Sequence, residues 1–85
     1  MKYLVCYDPK SEKYLEKLPK PLAARIVKKM REVGETGRGI ELLKDEQYGY
    51  KIRVGDYRIL IDLTYNPHII WVRHIDHRGR VYERL

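Results

Sequence analysis

The 85-residue sequence lacks phenylalanine, contains one cysteine, and has no long apolar run. A single cysteine, Cys6, excludes a disulfide scaffold and any zinc site built on cysteines. A membrane-spanning helix needs about 20 mostly apolar residues in a row, so none is expected. The apolar amino-terminal stretch is short and is interrupted by Asp8 and Pro9, which argues against a signal peptide. These absences predict a cytoplasmic protein.

The size and charge of the chain further limit the possible classes of protein. Residues 1–85 are expected to form a single domain, because two separate cores would each be too small to be stable. Eighteen Lys and Arg residues outnumber twelve Asp and Glu residues, which gives a formal net charge of +6. A small basic domain suits a nucleic acid or an acidic protein as partner, although the same charge could serve solubility alone.

The first half of the chain has the pattern of one strand followed by two helices. Residues 2–7 alternate as a strand that is apolar on both faces, which predicts a central strand with Cys6 buried in it. Asp8 and Pro9 are typical of an N-cap and a first helical residue. Apolar residues at helical spacing continue past two prolines, which predicts a helical hairpin capped at Gly34.

The second half of the chain has the two-residue period of β-strands. A glycine-rich loop comes first, and its apolar residues Ile40, Leu42 and Leu43 are expected to fold onto the core. Strands are then predicted over residues 50–54, 57–63 and 69–75, with Ile75 on the sheet face opposite Ile70 and Val72. The order β-α-α-β-β-β predicts an α+β fold, in which a helical hairpin packs on one face of a mostly antiparallel four-stranded sheet.

The predicted hairpin brings cations together. A two-residue turn at Gly55 and Asp56 places Arg53 directly opposite Arg58, with Lys51 on the same face. Like charges opposite each other destabilise a strand pair, so this arrangement indicates an anionic ligand. A solvated face neutralised by the nearby Asp62 is the alternative interpretation.

Two stretches resemble a known toxin superfamily. Residues 50–60, YKIRVGDYRIL, are similar to the "yRirvGdYRviY" signature of the RelE/ParE toxins, and residues 77–82, HRGRVY, are similar to the closing "GHRrevY". The resemblance covers essentially the whole chain and implies the microbial-ribonuclease-like RelE fold. The chain departs from the pattern at Arg53, where some members have lysine, and at Asp76, where many have glycine.

The resemblance implies a toxin of a toxin–antitoxin pair. Its RelE branch consists of metal-independent endoribonucleases that cleave mRNA in the ribosomal A site, whereas its ParE branch inhibits DNA gyrase and lacks the catalytic cations. The positions that match the RelE catalytic set are Lys51, Arg53, Arg58, Arg78 and Tyr82. All five carry suitable residues, which favours the nuclease branch. His77 and Arg80 are auxiliary candidates.

The resemblance also implies the partners and the roles of the site residues. Arg58 and Arg78 would hold the scissile phosphate, Lys51 would transfer a proton, and Tyr82 would stack on a base. The implied partners are the ribosome with its mRNA and an antitoxin with an acidic, partly disordered segment. No metal or other cofactor is expected, because the three histidines lack a known ligand spacing. A gyrase inhibitor and an RNA-binding module without catalysis remain the alternatives.

Overall fold

The computed structural model describes residues 2–44 and 48–77. In chain order the elements are β1 (Leu4–Tyr7), α1 (Pro9–Lys17), α2 (Lys20–Thr36), β2 (Glu41–Leu42), β3 (Tyr50–Val54), β4 (Tyr57–Thr64) and β5 (Ile69–His77). They form one mixed sheet in the order β1-β5-β4-β3-β2, in which only β1 and β5 run parallel to each other. The predicted α+β class is confirmed, with β2 as an additional short edge strand.

Helix α1 begins where the sequence predicts. The Asp8 carboxylate accepts a hydrogen bond from the backbone N–H of Ser11 at 2.8 Å, and Pro9 occupies the first helical position. The buried Ser11 hydroxyl donates to the Val72 carbonyl oxygen at 3.1 Å. This bond ties the first turn of α1 to β5 and satisfies the one buried polar side chain among the described residues.

Helix α2 continues beyond the predicted cap. Gly34 lies inside the helix, and the cap is Gly37, which has a φ of 73° and donates its N–H to the Val33 carbonyl. Gly34 serves close packing instead, since a Cβ atom there would lie 2.8 Å from Val5 Cγ2. The predicted cap was wrong because a glycine needed for contact between a helix and a strand looks the same in sequence as a glycine needed for a left-handed turn.

Both helices pack on one face of the sheet. The core consists of aliphatic residues and one methionine from α2, β3, β4 and β5, namely Ile26, Met30, Val33, Ile52, Val54, Ile59, Ile61, Ile70, Val72 and Ile75. The prediction for Ile75 was wrong. Leu60 pairs with His74 and Ile61 with Val72, so Arg73 is an extra residue in a β-bulge. The bulge reverses the alternation and turns Ile75 toward the helices.

Strand β1 lies at an edge of the sheet, not at its centre. Its side chains Val5 and Tyr7 pack against the core, whereas Leu4 is 62% exposed and Cys6 is only partly buried. The helices cover one sheet face only, so an apolar residue on the other face does not indicate burial. For the same reason Leu42 is 70% exposed, although Ile40 does pack on the core. No helix within the described ranges is long and apolar enough to cross a membrane.

Candidate functional site

The cationic face is the sheet face that points away from the helices and carries Lys51, Arg53 and Arg58. Strands β3 and β4 pair in the predicted register, with Arg53 opposite Arg58 and Ile52 opposite Ile59. The isoleucines are fully buried against the helices, so the alternation of the strands directs the three cations to the other side. The predicted convergence of these three residues is therefore confirmed.

Two carboxylates that sequence reasoning missed partly neutralise this face. Arg58 Nη2 donates to Asp76 Oδ2 at 2.8 Å, between side chains that are 32% and 23% exposed. Arg53 Nε lies 3.8 Å from Glu41 Oε2, a looser and more exposed pair. Both carboxylates come from neighbouring strands, β5 and β2. Their pairing with the arginines offsets the repulsion between Arg53 and Arg58.

The expected neutraliser, Asp62, has other partners. Its carboxylate accepts a hydrogen bond from Arg73 Nε at 3.1 Å and one from the Gly49 N–H at 3.2 Å. Arg73 also lies over the Trp71 ring, with its guanidinium carbon 5.7 Å from the ring centroid. Asp62 therefore stabilises the part of the sheet next to the cationic face and does not cancel the charge of the three predicted cations.

Two donors of the cationic face have no acceptor among the described residues. The Nε atom of Arg58 is buried and forms no hydrogen bond within the described ranges. Lys51 forms no ion pair with a described residue, although it lies between Glu41 and Leu60 in the register. A buried donor without an acceptor costs free energy. An anionic oxygen at this position would remove that cost.

Aromatic rings border the cations, a feature that the sequence analysis did not single out. His74 pairs with Leu60, whose other neighbour across the sheet is Lys51. The Tyr48 ring is nearly parallel to the His74 ring, with 6.4 Å between centroids and 8° between planes. An aromatic surface next to cations suits a nucleotide, which combines a flat base with a phosphate. The bulge at Arg73 directs His74 here, so alternation alone could not have found it.

The other predicted site residues are not found on the cationic face within the described part of the chain. His77 pairs with Tyr57 and contacts its ring at a centroid distance of 4.7 Å. Tyr57 belongs to the helix-facing side of β4, so the structure puts His77 on the sheet face opposite Arg58 and does not bring the two together. The predicted residues Arg78, Arg80 and Tyr82 lie outside the described residues. Within the described ranges, no cluster of three or more potential ligands could hold a metal ion.

The fold and the cationic face define the class: a small α+β protein whose sheet carries three cations on the face away from the helices. The family model of the ParE toxin of the parDE type II toxin–antitoxin system matches residues 5–82. The chain belongs to this toxin family of the RelE/ParE superfamily, and it is the toxin of a type II toxin–antitoxin system. A search of curated proteins finds no significant match.

Solved structures show the same fold. A chain of the RelBE2 toxin–antitoxin complex from Mycobacterium tuberculosis superposes with a TM-score of 0.80 at 26% identity, over 93% of this chain and 94% of that chain. For the archaeal RelE–RelB complex from Pyrococcus horikoshii the TM-score is 0.76 at 23% identity, covering 94% and 99%. For the RelB–RelE complex from Methanococcus jannaschii it is 0.61 at 26% identity, covering 93% and 96%.

Proposed function

We propose that this toxin is a ribosome-dependent endoribonuclease that cleaves mRNA in the ribosomal A site and so inhibits translation. The observation that carries the proposal is the cationic face, where Lys51, Arg53 and Arg58 converge and the buried Arg58 Nε has no acceptor among the described residues. A phosphate group of RNA supplies both negative charge and acceptor oxygens at this position. The structural likeness to RelE chains supports the same function.

The proposed reaction uses a nucleophile that RNA itself provides. The 2′-oxygen attacks the adjacent phosphorus atom while the bond from phosphorus to the 5′-oxygen breaks, which leaves a 2′,3′-cyclic phosphate and a free 5′-hydroxyl. The 2′-hydroxyl loses its proton to a solvent water molecule, and the leaving 5′-oxygen gains one from the protein. In the proposed reaction the cations of the protein take the place of a metal ion, because they supply the positive charge that stabilises the phosphoryl oxygens.

Each cation has a role in this proposal. Arg58 and Arg53 bind the non-bridging oxygens, where negative charge grows in the transition state. The hydrogen bond from Arg58 to Asp76 holds the guanidinium in place, so that its remaining N–H groups are oriented before the substrate arrives. Lys51 donates the proton that the leaving oxygen requires.

The resemblance supplies two further residues and explains the need for the ribosome. Arg78 would help to bind the phosphate and Tyr82 would stack on a base, as at the matching positions of RelE toxins. His77 has no role in the proposed reaction, since it lies on the other sheet face. Within the described residues no histidine is paired with a glutamate for acid–base catalysis, so efficient cleavage depends on alignment of the mRNA by the ribosome.

Gyrase inhibition is the second candidate, because the matching family model describes ParE toxins. The test is to assay the wild-type protein in two reactions, a translating extract with a labelled mRNA and a gyrase supercoiling reaction. The proposal expects cleavage of the translated mRNA and unaltered supercoiling. Inhibited supercoiling with intact mRNA would overturn the proposal in favour of a gyrase inhibitor.

We also propose a cognate antitoxin as partner. The three similar structures described above are each a complex of a RelE toxin with a RelB antitoxin. An acidic antitoxin segment complements a chain of net charge +6, and its negative side chains would compete with RNA for the cationic face. The proposal expects a stable complex on co-expression with an adjacent acidic reading frame, and restored translation in the extract.

A further inference from the structure

A second group of cations lies on the helix side of the sheet, away from Lys51 and Arg58. Arg25, Lys28 and Lys29 of α2 face the β3–β4 hairpin across a groove of about 290 Å³, which Arg53, Val54 and Gly55 line on the other side. We define these residues as the α2 groove. A single carboxylate, Glu32, lines it as well.

Three cations of α2 stand close together, and Glu32, one turn further along the helix, is the one carboxylate in the groove lining. Arg25, Lys28 and Lys29 occupy positions i, i+3 and i+4, which are neighbours on one helix surface, and like charges at these spacings destabilise a helix. None of the three forms an ion pair with another residue in the described part of the chain. Three cations beside a single carboxylate leave this part of the helix surface with a net positive charge.

The hairpin turn is shaped to accept one of these cations. Gly55 has a φ of 60°, and a Cβ atom there would lie 3.2 Å from both terminal nitrogens of Arg25. The guanidinium of Arg25 therefore lies against the turn, and its positive charge forms part of the groove lining. Arg53 belongs both to the α2 groove and to the cationic face, so the two positively charged surfaces meet at the hairpin.

We propose that the α2 groove binds the phosphate backbone of RNA, as a second contact outside the cleavage site. Interfaces with nucleic acids are polar and strongly positive, whereas protein partners insert apolar or aromatic anchors. The α2 groove has one apolar lining residue, the buried Val54. An acidic peptide would find apolar contacts elsewhere, at the groove between α2 and β1 that Tyr3, Tyr7 and Val27 line. The choice of RNA as the polyanion rests on the proposed function.

The test uses a short single-stranded RNA in which every 2′-hydroxyl is methylated, so that binding can be measured whether or not the protein cleaves RNA. Fluorescence anisotropy gives the affinity of the wild type and of the double variant Lys28→Ala/Lys29→Ala over a range of salt concentrations. The matched control is Lys10→Ala/Lys13→Ala, which removes the same charge from exposed positions of α1. Alanine favours helix, so both double variants are expected to fold.

The groove variant should lose two phosphate contacts. Each contact to single-stranded nucleic acid contributes about 0.7 to the slope of log affinity against log salt, so the slope should fall by about 1.4. At a salt concentration of about 0.1 M this corresponds to roughly 25-fold weaker binding. The control should bind within about twofold of the wild type, because diffuse charge outside the contact surface adds little.

Three outcomes would overturn the inference. Equal losses in the groove variant and the control would show that only overall charge matters, and wild-type binding by the groove variant would show that RNA does not contact this surface. If the groove variant loses affinity for a poly-glutamate peptide and keeps its affinity for RNA, the groove serves a protein partner. Failure of wild-type toxin to cleave mRNA would refute the proposed function and leave this binding result interpretable.

Discussion

Replacing Arg58 by alanine should lower the rate of mRNA cleavage strongly and change the free energy of unfolding only slightly. The ion pair with Asp76 joins side chains that are about one-third and one-quarter exposed, and such pairs contribute about 0.2–1 kcal/mol. The substitution also removes the repulsion between Arg58 and Arg53 directly opposite, an effect of about 0.2–1 kcal/mol in the other direction. These opposing effects predict a net change in unfolding free energy of at most about 1 kcal/mol.

Catalysis should respond much more strongly to the same substitution. Removing one donor that stabilises charge in a transition state typically lowers the rate by about 10²–10³-fold, equivalent to about 3–4 kcal/mol. The two quantities are measured by urea denaturation and by the rate of mRNA cleavage in a translating extract. A change in stability near 1 kcal/mol would shift the melting temperature of a domain this small by about 4–8 °C.

Arg73→Ala is the matched control for this experiment. Arg73 forms a comparable, partly exposed ion pair with Asp62 at 3.1 Å, outside the set of three cations. This variant should lose a similar amount of stability and retain its cleavage rate. Cleavage by Arg58→Ala within threefold of the wild type, or loss of activity by both variants in proportion to their stability, would show that Arg58 does not act in catalysis.

Three further predictions concern packing, capping and alkaline pH. Gly34→Ala should lower the unfolding free energy in urea denaturation by up to about 2 kcal/mol, because overlap of the new Cβ with Val5 Cγ2 costs about 1–3 kcal/mol and helix propensity returns about 1 kcal/mol; a gain of about 1 kcal/mol, as helix propensity alone predicts, would contradict the close approach. Asp8→Ala should cost about 1 kcal/mol in the same assay by removing the acceptor for the Ser11 N–H, and Asp8→Asn should restore most of it. Burial raises the pKa of Tyr7, so the folded state favours the neutral phenol and stability should fall as pH rises above about 10. Tyr7→Phe should lessen this alkaline loss in denaturation series near pH 8 and pH 11, and an identical loss would argue against Tyr7 as its source.

The register of the β3–β4 hairpin could be predicted from local sequence rules. A two-residue turn fixes the register of its strands, and strict alternation then assigns every side chain to a face. Arg53 and Arg58 could therefore be placed opposite each other from the sequence alone. The start of α1 was equally predictable, since an N-cap such as Asp8 acts within one turn of the helix.

Features that depend on contacts between distant segments could not be predicted from local sequence rules. The bulge at Arg73 inserts one residue into β5, and that insertion moved Ile75 into the core and His74 to the cationic face. Asp76 reaches Arg58 through the same shifted register, so its role as the ion-pair partner was hidden. The alternation of side chains along one strand does not reveal that this strand has an extra residue relative to the adjacent strand.

The position of β1 was missed for a related reason. A strand that is apolar on both sides is central only if both sheet faces are covered, and here the helices cover one face. The α2 groove likewise exists only because α2 packs beside the hairpin. Lysines on the surface of a helix do not by themselves predict a binding groove, because the groove also depends on the element that packs beside the helix.

In the proposed reaction, mRNA is cleaved at the cationic face through attack by its own 2′-hydroxyl. The most direct test compares two mRNAs on ribosomes programmed with the same A-site codon, one with ribose throughout and one with 2′-deoxyribose at the scissile nucleotide. Wild-type toxin should cleave the first mRNA to a 2′,3′-cyclic phosphate and leave the second intact. Equal cleavage of both mRNAs would rule out attack by the 2′-hydroxyl, and cleavage of neither would rule out the proposed nuclease.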